Sequence, residues 1–127
     1  MARYYDTLAE FQRDGYDIIV DKTWEDLNPR DSFDDSVTDI DEIIKDIDRG
    51  HLDWFMLRVR VLVEGLELAE EYLGGCLYED PKEILVDGTA EDIIDLAMTH
   101  AKSKVYRLSR VFGGLSEAVD RESASAV

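Results

Sequence analysis

The chain has one cysteine in 127 residues, two histidines, two prolines and no long apolar run. A lone Cys76 excludes an internal disulfide framework and fits a reducing compartment. The best apolar stretch, Trp54 to Val63, is interrupted by Arg58 and Arg60, so no segment approaches the ~20 apolar residues that a membrane-crossing helix needs. The opening residues, MARYYDTLAEFQRD, carry acids early and no unbroken apolar stretch, and read neither as a signal peptide nor as an anchor. A cytoplasmic protein is the expectation.

Catalytic signatures are missing as well. The sequence holds no G-x-x-x-x-G-K-[ST], no G-x-G-x-x-G, no H-E-x-x-H and no C-x-x-C, so nucleotide, dinucleotide and zinc chemistry lack support and no cofactor is expected. His51 and His100 have no partner at metal-ligand spacing and read as surface or packing residues. Cys76 in LGGCLY has the flexible neighbourhood of a nucleophile, yet a cysteine flanked by leucine in a strand belongs more often to a core. With thirty acidic residues, a carboxylate pair at catalytic separation arises by chance and carries no information on its own. The dense acids Asp31, Asp34, Asp35, Asp39, Asp41 and Glu42 do not reproduce the ligand spacing, glycine and final glutamate of an EF-hand loop. Binding is therefore expected in preference to catalysis, with no metal.

What the chain does have is negative charge and enough apolar residues to fold. Acids outnumber bases by 30 to 14, for a net charge of -16, while 45% of the residues are hydrophobic. Such a balance supports a packed core, keeps the protein soluble, repels nucleic acid and anionic membrane, and favours encounter with basic surfaces. The length suits one domain, read here as residues 1–114 with a Ser- and Ala-rich tail at 115–127 that reads as frayed or disordered.

Tyr4, Leu8 and Phe11 recur at helical spacing before Asp14-Gly15, which predicts a short opening helix. Tyr16 to Asp21 reads as a strand. Ile40, Ile43, Ile44 and Ile47 form an i, i+3, i+4, i+7 stripe, with Ser36 or Thr38 to cap it and Gly50 to stop it, predicting a helix over 37–49. Phe55, Leu57, Val59, Val61 and Val63 alternate with Met56, Arg58, Arg60 and Leu62 at the period of a half-buried strand. Glu64-Gly65 turns it into a second strand, Leu66 to Tyr78, in which Gly74-Gly75 implies a bulge or close backbone approach; a helical start at Leu66 to Tyr72 competes. Thr89 and Asp92 resemble a capping box, followed by a long apolar stripe of Ile94, Ala97, Met98, Ala101, Val105, Leu108 and Phe112 that Gly113-Gly114 should close. The expected fold is α+β: an antiparallel hairpin near 53–78 packed with helices near 37–49 and 90–112. Trp54, Met56 and Leu62, opposite the valines, would form an exposed apolar patch unless helices cover both faces or the chain forms a homodimer.

Charge is unevenly placed. From Asp6 to Asp48 acids outnumber bases by 15 to 4, whereas Lys102, Lys104, Arg107 and Arg110 form a basic run with no acid between them. Asp35, Asp39, Glu42 and Asp46 fall in one row of the predicted helix, a costly arrangement because like charges at helical neighbour positions repel. The acids Asp31, Asp34, Asp35, Asp39, Glu42 and Asp46 are the candidate partner-binding residues. In size, acidity and absence of catalytic motifs, with Asp31 to Asp48 as the matching stretch, the chain resembles small single-domain inhibitors carried by phages and mobile elements, including DNA-mimic proteins that block restriction or CRISPR nucleases. That resemblance implies a protein that covers a basic, nucleic-acid-binding surface and does not itself touch nucleic acid or membrane. The basic run at Lys102 to Arg110 departs from a uniformly acidic mimic. Immunity proteins and antitoxins that neutralise a basic toxin share the profile, and so does an acidic structural protein whose charge serves solubility alone.

Overall fold

Residues that alternate between apolar and polar at period two give an antiparallel sheet one buried face and one face of different chemistry. The computed structural model describes residues 3–33 and 39–125, with side chains up to residue 114. Its four-stranded sheet runs in chain order: β1 (Asp6–Arg13), β2 (Tyr16–Trp24), β3 (Asp53–Val63) and β4 (Leu66–Tyr78), all neighbours antiparallel. Helices α1 (Pro29–Ser32) and α2 (Ile40–Asp48) come between β2 and β3, and a 3-10 turn, Pro81–Leu85, leads into α3 (Thr89–Ser125). The class is α+β, with the hairpin over 53–78 forming half of the sheet.

β3 carries the fold's main division. Phe55, Leu57, Val59 and Val61 are completely or almost completely buried, while Met56, Arg58, Arg60 and Leu62 are half-buried on the other face. Ile18 and Val20 of β2 extend the inner face, and α3 lays Ala90, Ile94, Ala97, Met98 and Ala101 across it. Three alanines on that helix face let its backbone approach the sheet closely, and Ile84 seals the end beside the 3-10 turn. Each large side chain so buried contributes roughly 1.5–3 kcal/mol relative to exposure.

The predicted opening helix is a strand. Asp14 and Gly15 both take positive φ, at 54° and 84°, as a type I′ hairpin turn requires, and they join β1 to β2 where a helix stop was expected. The helical spacing had a local cause. The β1–β2 register slips between Thr7 and Ala9, so Leu8 is an extra residue in a bulge, and Leu8, Ala9 and Phe11 all pack against the core. A bulge interrupts strict alternation and so imitates a longer period. Tyr4, the first member of the supposed stripe, is 71% exposed.

The bulge read at Gly74-Gly75 is present. Phe55 pairs with Cys76 and Leu57 with Leu73, so two glycines oppose Met56 alone. Gly75 has φ of 69°, and its N–H donates to Glu25 Oε2 at 2.7 Å, which ties the bulge to the chain after β2. A second slip, between Val61 and Leu62, makes Leu68 the extra residue of β4 and buries it. The whole of Leu66–Tyr78 is strand, so the competing helical start does not form.

Both later helices keep their apolar stripes but change at their ends. α2 begins at Ile40, with Asp39 as its N-cap; the predicted caps Ser36 and Thr38 lie outside the described residues. Its end is as read: Gly50 has φ of 80°, its N–H donates to Ile47 O, and His51 N donates to Asp46 O, a Schellman pair. At the start of α3 the cap comes from Asp87, whose carboxylate accepts from Thr89 N at 2.9 Å, and not from a Thr89–Asp92 box. α3 also continues through Gly113-Gly114 to Ser125, since neither glycine adopts the positive φ of a helix stop. The predicted stop fails because paired glycines permit termination without compelling it.

Trp54 is covered in part. Its ring lies 5.7 Å from that of Phe33, its indole N–H donates to Leu27 O, and the α2 isoleucines Ile44 and Ile47 share a cleft with it. α2 thus packs at one end of the outer sheet face and not across it.

Gly75→Ala should destabilise the protein by about 1–2 kcal/mol, the cost of forcing a side chain into left-handed backbone. The midpoint of urea unfolding reads this. A change within a few tenths would mean that the bulge relaxes without its glycine.

Candidate functional site

The acids singled out from the sequence divide among three settings. Asp31 is exposed in the first turn of α1; Asp34 and Asp35 lie outside the described residues; Asp39, Glu42 and Asp46 belong to α2 or its cap. Asp39 has a structural task, because its Oδ1 accepts from Glu42 N at 3.4 Å and closes the helix N-terminus. Asp41 and Glu42 in the first turn also complement the helix dipole. Their like charges are less isolated than the sequence row suggests: Arg30 of α1 reaches Asp41 at 2.6 Å, and Lys45 reaches Glu42 at 3.4 Å. Asp46 lies 3.6 Å from His51. Such exposed pairs contribute only ~0–1 kcal/mol each to stability.

What holds α2 is apolar. Ile40 is buried, and Ile43, Ile44 and Ile47 are half-buried. Asp39, Asp41, Glu42 and Asp48 remain exposed on the helix and its cap. The arrangement presents carboxylates on a short helix with caps at both ends, which suits docking against cations.

A second charged assembly occupies the outer sheet face, and sequence reasoning missed it. Asp21 of β2 is only 2% exposed and takes both arms of Arg58, Nε at 2.8 Å and Nη2 at 2.6 Å. The cross-strand register places these two residues opposite one another. The Arg58 guanidinium also stacks 3.4 Å from the centre of the Tyr5 ring, and Arg60 approaches the same carboxylate at 3.7 Å. The hydrogen bond to Asp21 raises the Arg58 pKa further above its ordinary value. Beside them Tyr72 donates to Glu70; burial and that bond raise the Tyr72 pKa. Burial, with the neighbouring Glu70, raises the Glu67 carboxyl, whereas the Tyr72 hydroxyl lowers Glu70. The opposed signs describe partners in mutual contact, though Arg60 Nε is buried without a hydrogen-bond partner. A signal did exist: Asp17 and Asp21 fall on the side of β2 opposite Ile18 and Val20, as Arg58 and Arg60 fall opposite the β3 valines. Pairing them required the register.

The nucleophile reading of Cys76 finds little help. The residue is 5% exposed, its thiol donates to Leu73 O at 3.5 Å, and burial pushes its pKa up to about 11. The two histidines are engaged elsewhere, His100 with Glu71 and His51 with Asp46. Among the described residues no group of His, Cys, Asp and Glu has the geometry to hold a metal ion. Among the same residues no helix is long and apolar enough to cross a membrane. Of the basic run, Lys102 reaches Asp14 at 3.1 Å, and Arg110 lies near the Tyr106 ring.

Comparison with known proteins returns no match: no family model, no curated protein and no solved structure is similar to the chain.

Two outcomes follow from this chemistry. Because the raised pKa leaves little thiolate near neutrality, Cys76 in the folded protein should react with a thiol reagent much more slowly than in urea, and faster as pH rises toward 11. Rapid labelling at pH 7 would revive a nucleophilic role. Arg58→Ala should cost about 3 kcal/mol, the low end for a broken buried pair because Arg60 remains near Asp21. Pairing Arg58→Met with Asp21→Asn should recover most of that loss in urea titrations.

Proposed function

We propose that the protein binds and blocks a basic surface of a partner protein, acting in the cytoplasm without catalysis, and that the surface is the nucleic-acid site of a host restriction or CRISPR nuclease. The observation that carries this is the acidic face of α2, where Asp39, Glu42 and Asp46 stand at helical neighbour positions, flanked by the exposed Asp41 and Asp48, on a helix held by its isoleucines and its caps. Carboxylates at helical neighbour positions, with Cβ atoms roughly 5–6 Å apart, approach the spacing of successive phosphates on a strand. A lysine- and arginine-lined groove shaped for a polyanion accepts either. Charge of this kind acts mainly by steering encounter and setting register, so the association rate and its salt dependence are its signature.

A competing account gives the acids no task beyond solubility. The two separate cleanly because α2 does not rely on the charges for its packing. Replacing Asp39, Glu42 and Asp46 by Asn, Gln and Asn keeps the cap, since asparagine ranks with aspartate at that position. Stability should stay level or rise slightly as repulsion is relieved.

The test is DNA cleavage by a panel of restriction and CRISPR nucleases with the chain added. The native chain should inhibit at least one of them, less effectively as salt rises, and the triple amide variant should inhibit that enzyme roughly tenfold less well. Inhibition by the variant with unchanged affinity and salt slope, or no inhibition of any nuclease in the panel, would count against the proposal.

A further inference from the structure

α3 is longer than the sheet it covers. Its 37 residues extend ~55 Å at 1.5 Å per residue, and its buried contacts end at Ala101. Beyond that point Val105, Tyr106, Val111 and Phe112 are 37%, 65%, 65% and 59% exposed. Between the projecting helix and the hairpin ends runs an apolar groove of about 610 Å³, lined by Tyr16, Val63, Leu66, Val105, Leu108 and Phe112. Leu66, at its edge, is 61% exposed.

The spacing along the helix says what kind of surface this is. Ile94, Met98, Ala101, Val105, Leu108 and Phe112 are separated by four, three, four, three and four residues, and the sequence continues the pattern at Leu115 and Val119. This is a heptad seam. Its first three members are buried within the chain, and the next three line the open groove. Charge along the same helix reverses. Lys102, Lys104, Arg107 and Arg110 come first with no acid among them, and Glu117, Asp120 and Glu122 follow with one base, Arg121.

We infer that the far half of α3 pairs antiparallel with the far half of α3 in a second copy of the chain. In that arrangement each seam continues into the other copy's groove, and each basic run lies alongside the acids at 117–122 of its counterpart. A parallel pair would instead set four cations against four. An isologous pair of this kind closes on itself and leaves the acidic faces of both α2 helices outside the contact. The inference rests on a surface separate from α2 and stands or falls independently of the inhibitor proposal.

Sedimentation equilibrium of the full chain across a concentration series, at low and high salt, tests it directly. A dimer is expected that weakens as salt rises. Leu108→Glu should weaken the dimer roughly tenfold or more. Phe112→Ser, at a position more than half exposed, gives a second variant whose folding is secure, and it should act in the same direction. A monomer up to on the order of 100 μM would overturn the inference. So would a dimer indifferent to both variants, a dimer strengthened by salt, or a monomer that instead binds anionic vesicles through this helix.

Discussion

One strand governs the architecture. β3 has to satisfy a dry hydrocarbon core on one side and a charged network on the other, and its strict alternation from Phe55 to Val61 makes both possible. On the inner side, loss of alternation would expose the surface that α3 covers. On the outer side, Arg58 answers the buried carboxylate of Asp21. A one-residue slip between β2 and β3 would exchange the two faces, leaving Asp21 unpaired and the valines in water. The Asp21–Arg58 pair therefore specifies register as much as it adds stability, while the core supplies most of the free energy.

Because the core and the register lie within the sheet and α3, α2 is free to carry charge. Its isoleucines hold it against Trp54 and the segment at Asn28 to Arg30, and its termini are closed by Asp39 and Gly50. The carboxylates on its open side oppose folding slightly by mutual repulsion. A surface that costs the fold something and is backed by an independently held helix is the expected form of a docking face. At the other end of the molecule, the basic run on α3 belongs to a helix that outgrows its own sheet. The two features have opposite sign and separate mechanical supports.

Much of this was legible in the residues, and the exceptions have physical causes. Period-two alternation identified β3 unaided, the isoleucine stripe and Gly50 located α2, and the stripe from Ile94 onward located α3. β1 was misread because a bulge at Leu8 disguised a strand as a helical period, although Asp14-Gly15 was itself a hairpin signal. The Asp21–Arg58 contact was invisible because its partners are 37 residues apart and meet only through register. Of the acidic site, the α2 members and their shared element were readable. The pairing of Asp41 with Arg30 was not, since it depends on how α1 folds back toward α2.

Beyond the cap at Asp39, the acidic surface adds little to folding and persists against self-repulsion. The dependence of unfolding free energy on ionic strength tests this most directly, with urea titrations of the native chain in NaCl from about 10 mM to about 500 mM, across which the screening length shrinks several-fold. If the carboxylates mainly repel one another, stability rises steadily with salt and levels off once they are screened. If stability falls over that range, the surface ion pairs are net stabilising, the acids belong to the scaffold, and the account of α2 as a free docking face is wrong.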